Sequence, residues 1–204
     1  MPLTLAVPLS AALGFACGSI PFGYLAGMAK GIDIRKRGSG NIGFTNVLRV
    51  MSIGWATPVL VLDLAKGMLP TAFAAELGLL PALTGVGAVL GHVFTPWLGF
   101  KGGKGVATTI GVAALLCARS LLAGLGLYAV VLLATGFVSL SSMVFGIFLA
   151  PLTLLFYGTD LSLLAFTVVV SILILVRHRA NLVRLLDRTE PRLGLWVRLF
   201  RRKR

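Results

Sequence analysis

The chain has 204 residues, of which 57% are hydrophobic and 12% are charged, whereas an ordinary soluble domain has about 25% charged residues. This composition excludes a soluble globular protein and predicts a single integral membrane domain, residues 1–204, with a basic tail at 191–204. Its 19 Lys and Arg against 6 Asp and Glu give a net charge of +13. We assign that excess to loops that contact anionic membrane lipids and expect no nucleic-acid partner, because aromatic residues do not alternate with the basic ones.

Apolar runs recur along the chain and predict an all-α, polytopic membrane protein with seven transmembrane helices. A helix needs about 20 apolar residues to cross a bilayer, so the fourth run is marginally short. Fused to the fifth run, it would instead form one long helix with Arg119 at its middle, and the chain would have six spans. The predicted spans are Leu3–Met28, Ile53–Ala75, Leu79–Leu98, Val106–Cys117, Leu121–Val138, Leu140–Tyr157 and Leu161–Val176.

The distribution of positive charge favours seven spans over six. With seven, every Lys and Arg except Arg119 and the intramembrane Lys66 falls on one side of the membrane. With six, the basic C-terminal segment from Arg177 onward would lie on the opposite side. The positive-inside rule therefore predicts an outer N-terminus, a cytoplasmic C-terminus, and cytoplasmic loops after the first, third and seventh spans.

The first of these loops contains RKRGSGNIGFTNVLR, from Arg35 to Arg49. Its glycines expose backbone amides, and its small polar residues add hydrogen-bond donors that suit an anion. An ordinary turn followed by a helix cap would use the same residue types. The candidate binding residues are Ser39, Gly40, Asn41, Thr45 and Arg49.

The second loop contains GFKGGKGVATT, from Gly99 to Thr109. It resembles a Walker A loop but lacks the hydroxyl residue after the lysine, which disfavours nucleotide and Mg²⁺. Exposed amides, one flexible cation and the N-terminus of a following helix still favour phosphate oxygens. Lysines that anchor helix ends are the alternative, although anchoring does not account for the glycines. The candidate residues are Gly102, Gly103, Lys104 and Gly105.

The third segment is RHRANLVRLLDRTE, in which basic and polar residues recur at helical spacing. Arg177, Asn181, Arg184 and Arg188 form this stripe, and His178 lies one residue away from it. Taken alone, such a stripe is typical of contact with lipid headgroups, and a single histidine there is typical of the membrane interface.

Polar residues inside the spans have structural and functional interpretations. Asp63 and Lys66 stand three residues apart, so they can pair on one helix face, either as a structural ion pair or as part of a site. We interpret His92 as a hydrogen-bonded core histidine. Ser142, with Ser139 and Ser141, either adds donors to the site or caps a helix. The two cysteines lie alone in apolar runs and indicate neither a disulfide nor a metal cluster.

GSGNIGFTNVLR, GFKGGKGVATTIG and RHRANLVRLL, in this order on a seven-span chain, resemble the bacterial acyl-phosphate:glycerol-3-phosphate acyltransferases. The resemblance implies an inner-membrane enzyme with a cytoplasmic active site. It would transfer a fatty acyl group from acyl phosphate to the 1-hydroxyl of sn-glycerol 3-phosphate, giving lysophosphatidic acid and phosphate, the first acylation of phospholipid synthesis. No cofactor or metal is expected. A transporter or flippase for a phosphorylated metabolite or lipid is the alternative.

The resemblance also implies residue roles. Ser39 and Arg49 would come from the first motif, the glycine loop with Lys104 would bind glycerol 3-phosphate, and His178 and Asn181 would be essential. For the proton of the attacking hydroxyl, His178 is one candidate base, and the leaving phosphate, which we favour, is the other. The chain departs from the family pattern at Phe44, usually Ala, at Pro96, one place later than usual, and at Arg188, usually Gly.

Overall fold

The computed structural model describes residues 1–194, and all regular structure within them is helical. The predicted basic tail therefore lies mostly outside the described residues. Two short 3₁₀ turns, Ile34–Lys36 and Pro96–Leu98, accompany the α-helices. In chain order the α-helices are α1 (Leu3–Gly18), α2 (Phe22–Ala29), α3 (Phe44–Val50), α4 (Ile53–Ala74), α5 (Pro81–Val93), α6 (Val106–Leu116), α7 (Ala118–Thr135), α8 (Val138–Tyr157), α9 (Leu161–Arg177) and α10 (Arg179–Leu186).

The predicted all-α membrane fold is confirmed at the level of class, and each predicted span is mainly helical. By length and apolar composition, three segments of residues 1–194 can cross a membrane: Leu3–Ala29, which joins α1 and α2, then α7 and α8. A fourth qualifies if α9 and α10, bent by 50° at their junction, are counted as one span. Helices α5 and α6 have 13 and 11 residues, short of the roughly 20 that a full crossing needs.

The long fused helix of the six-span alternative does not form, because α6 and α7 are separate. Cys117 lies between them with φ −146° and ψ 59°, which is not helical geometry. Arg119 consequently lies in the first turn of α7, where its amide donates to the Tyr157 hydroxyl at 3.2 Å. The N-terminus of α7 is thereby tied to the C-terminus of α8.

Helix α1 packs closely along α5 because glycines line their contact. A methyl group placed on Gly14 would lie 1.9 Å from the Thr84 carbonyl oxygen, and one on Gly91 would lie 2.2 Å from the Phe15 carbonyl oxygen. Such close backbone approach is typical of helix pairs in membranes. Small residues let the two backbones come together, and van der Waals contacts then supply the packing energy.

The apolar side chains divide between a buried core and an outer surface. A core between α5, α6, α8 and α9 contains fully buried side chains such as Phe145 and Phe166. Large apolar side chains also cover the outside, as at Leu155 and Leu161, which are 72% and 80% exposed. An apolar exterior of this extent is what a lipid-facing protein presents.

Candidate active site

A cavity of about 300 Å³ brings the three sequence segments together. Its wall includes residues more than 140 positions apart in the chain, so the three predicted motifs share one site rather than forming separate ones. Of the predicted site residues, those that line the cavity are Ser39, Asn41, Thr45, Arg49, Lys104, Gly105, Ser142, His178 and Asn181. Those that do not are Gly40, Gly102 and Gly103.

The first loop folds around the side chain of Asn46, which is buried. The Asn46 Oδ1 accepts a hydrogen bond from the Ser39 amide at 2.8 Å. Its Nδ2 donates to the carbonyl oxygens of Asn41 and Arg37 at 2.8 and 3.0 Å, and lies 3.3 Å from that of Ile34. One amide side chain thus replaces the regular backbone bonds that the loop lacks and holds Ser39 at the cavity.

Gly40 contributes to this loop through its conformation. It has φ +72°, a value that glycine adopts without steric cost, and its amide donates to the Arg37 carbonyl at 3.0 Å. Its role in the structure is to turn the chain between Ser39 and Asn41, both of which reach the cavity.

Gly102 and Gly103 have a structural function that the sequence prediction did not foresee. Their amides donate to the carbonyl oxygens of Val93 and His92, at 3.0 and 3.1 Å, so these amides are not free to bind phosphate. A methyl group on Gly103 would lie 2.0 Å from His92 Nε2, and one on Gly102 would lie 2.1 Å from the His92 carbonyl oxygen. Close packing, rather than an anion nest, is therefore the reason for glycine at both positions.

The N-terminus of α6 faces the cavity directly after this loop. Gly105 precedes the helix with φ +84°, and the first helical hydrogen bond joins the Thr109 amide to the Gly105 carbonyl at 2.8 Å. The amides of Val106 and Ala107, both in the cavity wall, come before that bond and have no partner within the helix. This end of α6 therefore suits an anion.

Lys104 extends from the loop to the third segment. Its Nζ donates to Asn181 Oδ1 at 2.5 Å. Burial, together with the positive charges of Arg184, Arg177 and Arg49, lowers the Lys104 pKa to about 8, and the charge of Glu190 acts in the opposite direction. A buried lysine that is mainly protonated at neutral pH is well suited to binding a phosphate.

The third segment is not one helical stripe as predicted, because the chain bends by 50° between α9 and α10. Arg177 ends α9 and points at the glycine loop, whereas Asn181 and Arg184 belong to α10 and line the cavity. Arg188 lies beyond α10 in a left-handed turn with φ +58°. The bend at His178 is what turns α10 across the cavity.

His178 is buried at this bend, past the end of α9. Its Nδ1 lies 2.8 Å from the Ile174 carbonyl oxygen. A carbonyl can only accept, so Nδ1 carries the proton and Nε2 is the free acceptor. Burial and the nearby charge of Lys104 together lower the His178 pKa to about 4. The imidazole is therefore neutral at pH 7.

Glu190 also lines the cavity, although the sequence did not predict it as a site residue. Its two carboxylate oxygens accept from Asn181 Nδ2 and from Arg184 Nε, each at 2.7 Å. Burial raises the Glu190 pKa, but the hydrogen bonds and the charge of Arg184 outweigh it and the net pKa is lowered. The left-handed turn at Arg188 returns Glu190 to α10, a contact that spacing along one helix does not suggest.

The charged residues of α4 form the predicted ion pair. Lys66 Nζ lies 2.8 Å from Asp63 Oδ1, and both side chains are buried. Lys66 also donates to the Ile20 carbonyl at 2.8 Å. His92 is buried beside them, but its Nδ1 is 3.7 Å from Asp63 and has no hydrogen-bond partner within residues 1–194. His92 is therefore buried in the core as predicted, but in the described residues its Nδ1 makes only a long polar contact with Asp63 in place of the expected hydrogen bond.

Ser142 lines the cavity at the start of α8, and its hydroxyl donates to the Val138 carbonyl at 2.8 Å. Ser141 donates likewise to Phe137 O at 2.9 Å, so neither serine caps the helix. Among residues 1–194, no group of three or more His, Cys, Asp or Glu side chains is arranged to hold a metal ion.

The charges around the cavity leave two cations without a carboxylate partner in the described part of the chain. Arg184 is paired with Glu190, and Asp63 with Lys66. Arg49 and Lys104 remain, and the free amides of α6 lie beside Lys104. Part of the wall is apolar. The side chains of this apolar section include Leu60, Ile110, Leu125, Tyr128 and Val138. The cavity thus combines two cations with an apolar section, as an amphiphilic anion requires.

Comparisons with known proteins agree with this geometry. The family model described as glycerol-3-phosphate acyltransferase matches residues 8–188. A glycerol-3-phosphate acyltransferase of Synechococcus sp. (strain CC9902) is 46% identical over 90% of this chain and 93% of the relative, and that of Bacillus subtilis (strain 168) is 42% identical over 88% and 94%. The crystal structure of PlsY (YgiH), an integral membrane glycerol 3-phosphate acyltransferase, in its glycerol 3-phosphate form has a TM-score of 0.87 at 35% identity, covering 95% of this chain and 98% of that one. The chain belongs to the glycerol-3-phosphate acyltransferase family.

Proposed function

We propose that this protein transfers a fatty acyl group from acyl phosphate to the 1-hydroxyl of sn-glycerol 3-phosphate, giving lysophosphatidic acid and inorganic phosphate. Membership of the acyltransferase family supports the reaction class. The related PlsY crystal structures, described as a glycerol 3-phosphate form and a lysophosphatidic acid form, support the acceptor and the product. The acyl phosphate donor is our inference from the sequence motifs and the charges of the cavity.

The observation that carries the proposal is a pair of cations without a carboxylate partner in a cavity that also has an apolar section. Acyl phosphate and glycerol 3-phosphate each bring one phosphate, and Arg49 and Lys104 supply one cation for each. The apolar section matches the start of the acyl chain. Holding both anions side by side places the glycerol hydroxyl next to the acyl carbonyl, which is the main requirement of the reaction.

Chemically, the glycerol oxygen attacks the carbonyl carbon of acyl phosphate, a new ester C–O bond forms, and the C–O bond to phosphate breaks. Acyl phosphate is already activated, so the reaction needs no acyl-enzyme and Ser39 need not act as a nucleophile. Lys104, Arg49 and the α6 amides would stabilise the oxyanion and the leaving phosphate as negative charge develops.

The hydroxyl proton passes to the leaving phosphate in this scheme. His178, with a pKa of about 4, is a weak base, while its unprotonated Nε2 is well placed to accept a hydrogen bond and orient a substrate hydroxyl. Asn181 lies between Lys104 and Glu190 and would fix the position of the ammonium. Both residues would then bind and position rather than transfer protons.

For the topology, we propose one domain with seven spans, an outer N-terminus, and an active site facing the cytoplasm of a bacterial inner membrane. The charge distribution along the sequence supports this arrangement. The short helices α5 and α6 would cross only with help from their flanking loops, since 13 and 11 residues extend about 20 and 17 Å. The basic C-terminal segment would contact anionic lipids.

Purified protein incubated with acyl phosphate and radiolabelled glycerol 3-phosphate, without added metal, tests the proposal. We expect lysophosphatidic acid and phosphate in equal amounts, and no product when acyl-CoA or acylated acyl carrier protein replaces acyl phosphate. Product formed from acyl-CoA alone would contradict the assignment of acyl phosphate as the donor. Uptake of glycerol 3-phosphate into vesicles without any lysophosphatidic acid would contradict the enzyme and favour the transporter.

A further inference from the structure

The backbone directly before Lys104 is fixed more firmly than a glycine-rich sequence suggests. Gly102 and Gly103 donate through their amides to Val93 and His92. These two bonds join the loop to the C-terminal end of α5. They use both amides of the two glycines, and the carbonyl oxygens of the same residues bond to a different partner.

Arg177 is the partner of those carbonyl oxygens. Its Nη2 donates to the Gly102 carbonyl at 3.1 Å and its Nε donates to the Gly103 carbonyl at 3.2 Å. The guanidinium therefore joins two consecutive carbonyl oxygens from α9, a helix more than 70 residues further along the chain. Arg177 itself is not part of the cavity wall.

A third contact to the two glycines comes from His92. The His92 ring lies against Gly103, where an added methyl group would be 2.0 Å from Nε2. The ring is held near the buried Asp63–Lys66 pair, with 3.7 Å between His92 Nδ1 and Asp63 Oδ1. The two glycines are thus enclosed by backbone, by a ring and by a guanidinium.

We propose that Arg177 is a positioning residue. By donating hydrogen bonds to the carbonyl oxygens of the two residues before Lys104, it fixes the position of Lys104. This inference rests on the proposed function, in which Lys104 binds phosphate. Arg177 touches neither substrate in this scheme and acts only through the loop. The sequence alone had placed it among residues that contact lipid headgroups.

This pair of hydrogen bonds depends on the geometry of arginine. A guanidinium offers two parallel N–H donors in one plane, whereas a lysine ammonium is a point charge on a flexible chain. A lysine at position 177 would keep the positive charge but would not hold two adjacent carbonyls in one fixed arrangement. Lys104 would then be free to move outward from its place beside Asn181.

The first test compares Arg177→Lys with Arg179→Lys, which changes an exposed arginine for which the structure describes no hydrogen bond. For Arg177→Lys we expect the KM for glycerol 3-phosphate to rise about tenfold, the effect of weakening one charge-assisted contact, with a kcat within about twofold of wild type. Arg179→Lys should behave as wild type. Unchanged KM in Arg177→Lys would overturn the proposal.

The second test does not depend on activity. The rate at which Lys104 reacts with acetic anhydride, followed by mass spectrometry across pH, reports its pKa, which is about 8 in the enclosed site. The groups around it are Asn181, His178 and the charged residues Arg49, Arg177, Arg184 and Glu190. Because Arg177→Lys keeps the charge, a midpoint raised above that of wild type would report a loosened loop.

The two tests separate the two claims. If wild-type protein makes no lysophosphatidic acid, the proposed function fails, and the Lys104 labelling still decides whether Arg177 positions the loop. If wild-type protein is active but Arg177→Lys has either the same KM or the same labelling midpoint, the positioning role is wrong. A raised KM together with a raised midpoint supports it.

Discussion

The first loop and the glycine loop reach the same cavity but are held in different ways. The first loop is folded by Asn46, a residue of its own segment, which binds it through an amide side chain. The glycine loop is held by groups from α5 and α9, including Arg177 from far along the chain. Removing Asn46 should therefore disrupt the whole first loop at once. Substitutions at the separate contacts of the glycine loop should each weaken its position only in part.

Replacing Asn46 with Ala should have the largest effect, because it removes the centre of the first loop. At least three hydrogen bonds are lost and buried backbone groups lose their partner, which we expect to cost about 3 kcal/mol of unfolding free energy and about 100-fold in activity. Thermal unfolding and the acyl transfer assay measure the two effects.

Thr71→Val is the matched control for Asn46→Ala. Thr71 is also buried and polar, but its hydroxyl bonds only within its own helix, to the Gly67 carbonyl at 2.8 Å. Loss of this hydrogen bond should lower the free energy of unfolding by about 1 kcal/mol and leave activity intact. Equal effects of the two variants would contradict the special role of Asn46.

Gly103→Ala tests the external support of the glycine loop. The new methyl group would meet the His92 ring at 2.0 Å, so the loop must shift, and we expect kcat/KM to fall about 30-fold, the kinetic equivalent of about 2 kcal/mol of overpacking. At Gly99, where nothing lies within 4 Å, the Ala variant pays only for its φ of +59°, about 1 kcal/mol of stability. Kinetics at saturating acyl phosphate would compare them, and a Gly99→Ala variant as impaired as Gly103→Ala would argue against the packing explanation.

The pH profile separates Lys104 of the glycine loop from the imidazole of His178. With a His178 pKa of about 4 and a Lys104 pKa of about 8, activity should be flat from about pH 5.5 to 7 and fall with a midpoint near pH 8. His178→Gln should keep most of kcat with a raised KM. An acidic limb near pH 6.5 that disappears in His178→Gln would instead identify His178 as the base.

The His178 pKa also predicts a stability trend. The folded-state pKa lies below the ordinary value of 6.5, so the folded protein binds this proton less readily than the unfolded chain does. The contribution of neutral His178 to the free energy of unfolding is complete above pH 6.5 and is lost as the pH falls towards 4. In His178→Gln, the melting temperature should change less between pH 6.5 and 4.5 than in wild type.

Arg188→Gly should have the smallest effect, and it is the one change expected to stabilise. Arg188 has φ +58°, where a residue with a side chain is strained and glycine is not. Removing this backbone strain should add about 0.5–1 kcal/mol to the free energy of unfolding and raise the melting temperature by about 2–4 °C at this chain length. Asp187→Gly, one residue earlier at φ −77°, should lower it.

The sequence was most informative where the structure is local. Small polar residues and glycines in the first loop, the start of α6 at Val106, and the Asp63–Lys66 pair all follow from short-range spacing and agree with the structure. The class of the fold followed from apolar runs. Family resemblance, rather than spacing, identified His178 as a site candidate.

What the sequence did not predict depends on contacts between distant segments. The roles of Gly102 and Gly103 need the His92 ring and Arg177, and nothing in their own neighbourhood indicates these partners. The bend at His178 turned a regular stripe into two surfaces. Glu190 reaches the site only because the chain reverses at a left-handed Arg188, which local propensity disfavours.

Direct binding of glycerol 3-phosphate, measured by calorimetry at pH 7 without acyl phosphate, tests the central claim that Lys104 holds its phosphate. The comparison is wild type, Lys104→Met, and Lys101→Met, which removes an exposed lysine of the same loop that lies outside the cavity wall. We predict that Lys104→Met weakens affinity by about 100-fold, as the loss of a charge-assisted phosphate contact requires, and that Lys101→Met matches wild type. Unchanged affinity in Lys104→Met, or a larger loss in Lys101→Met, would contradict the account.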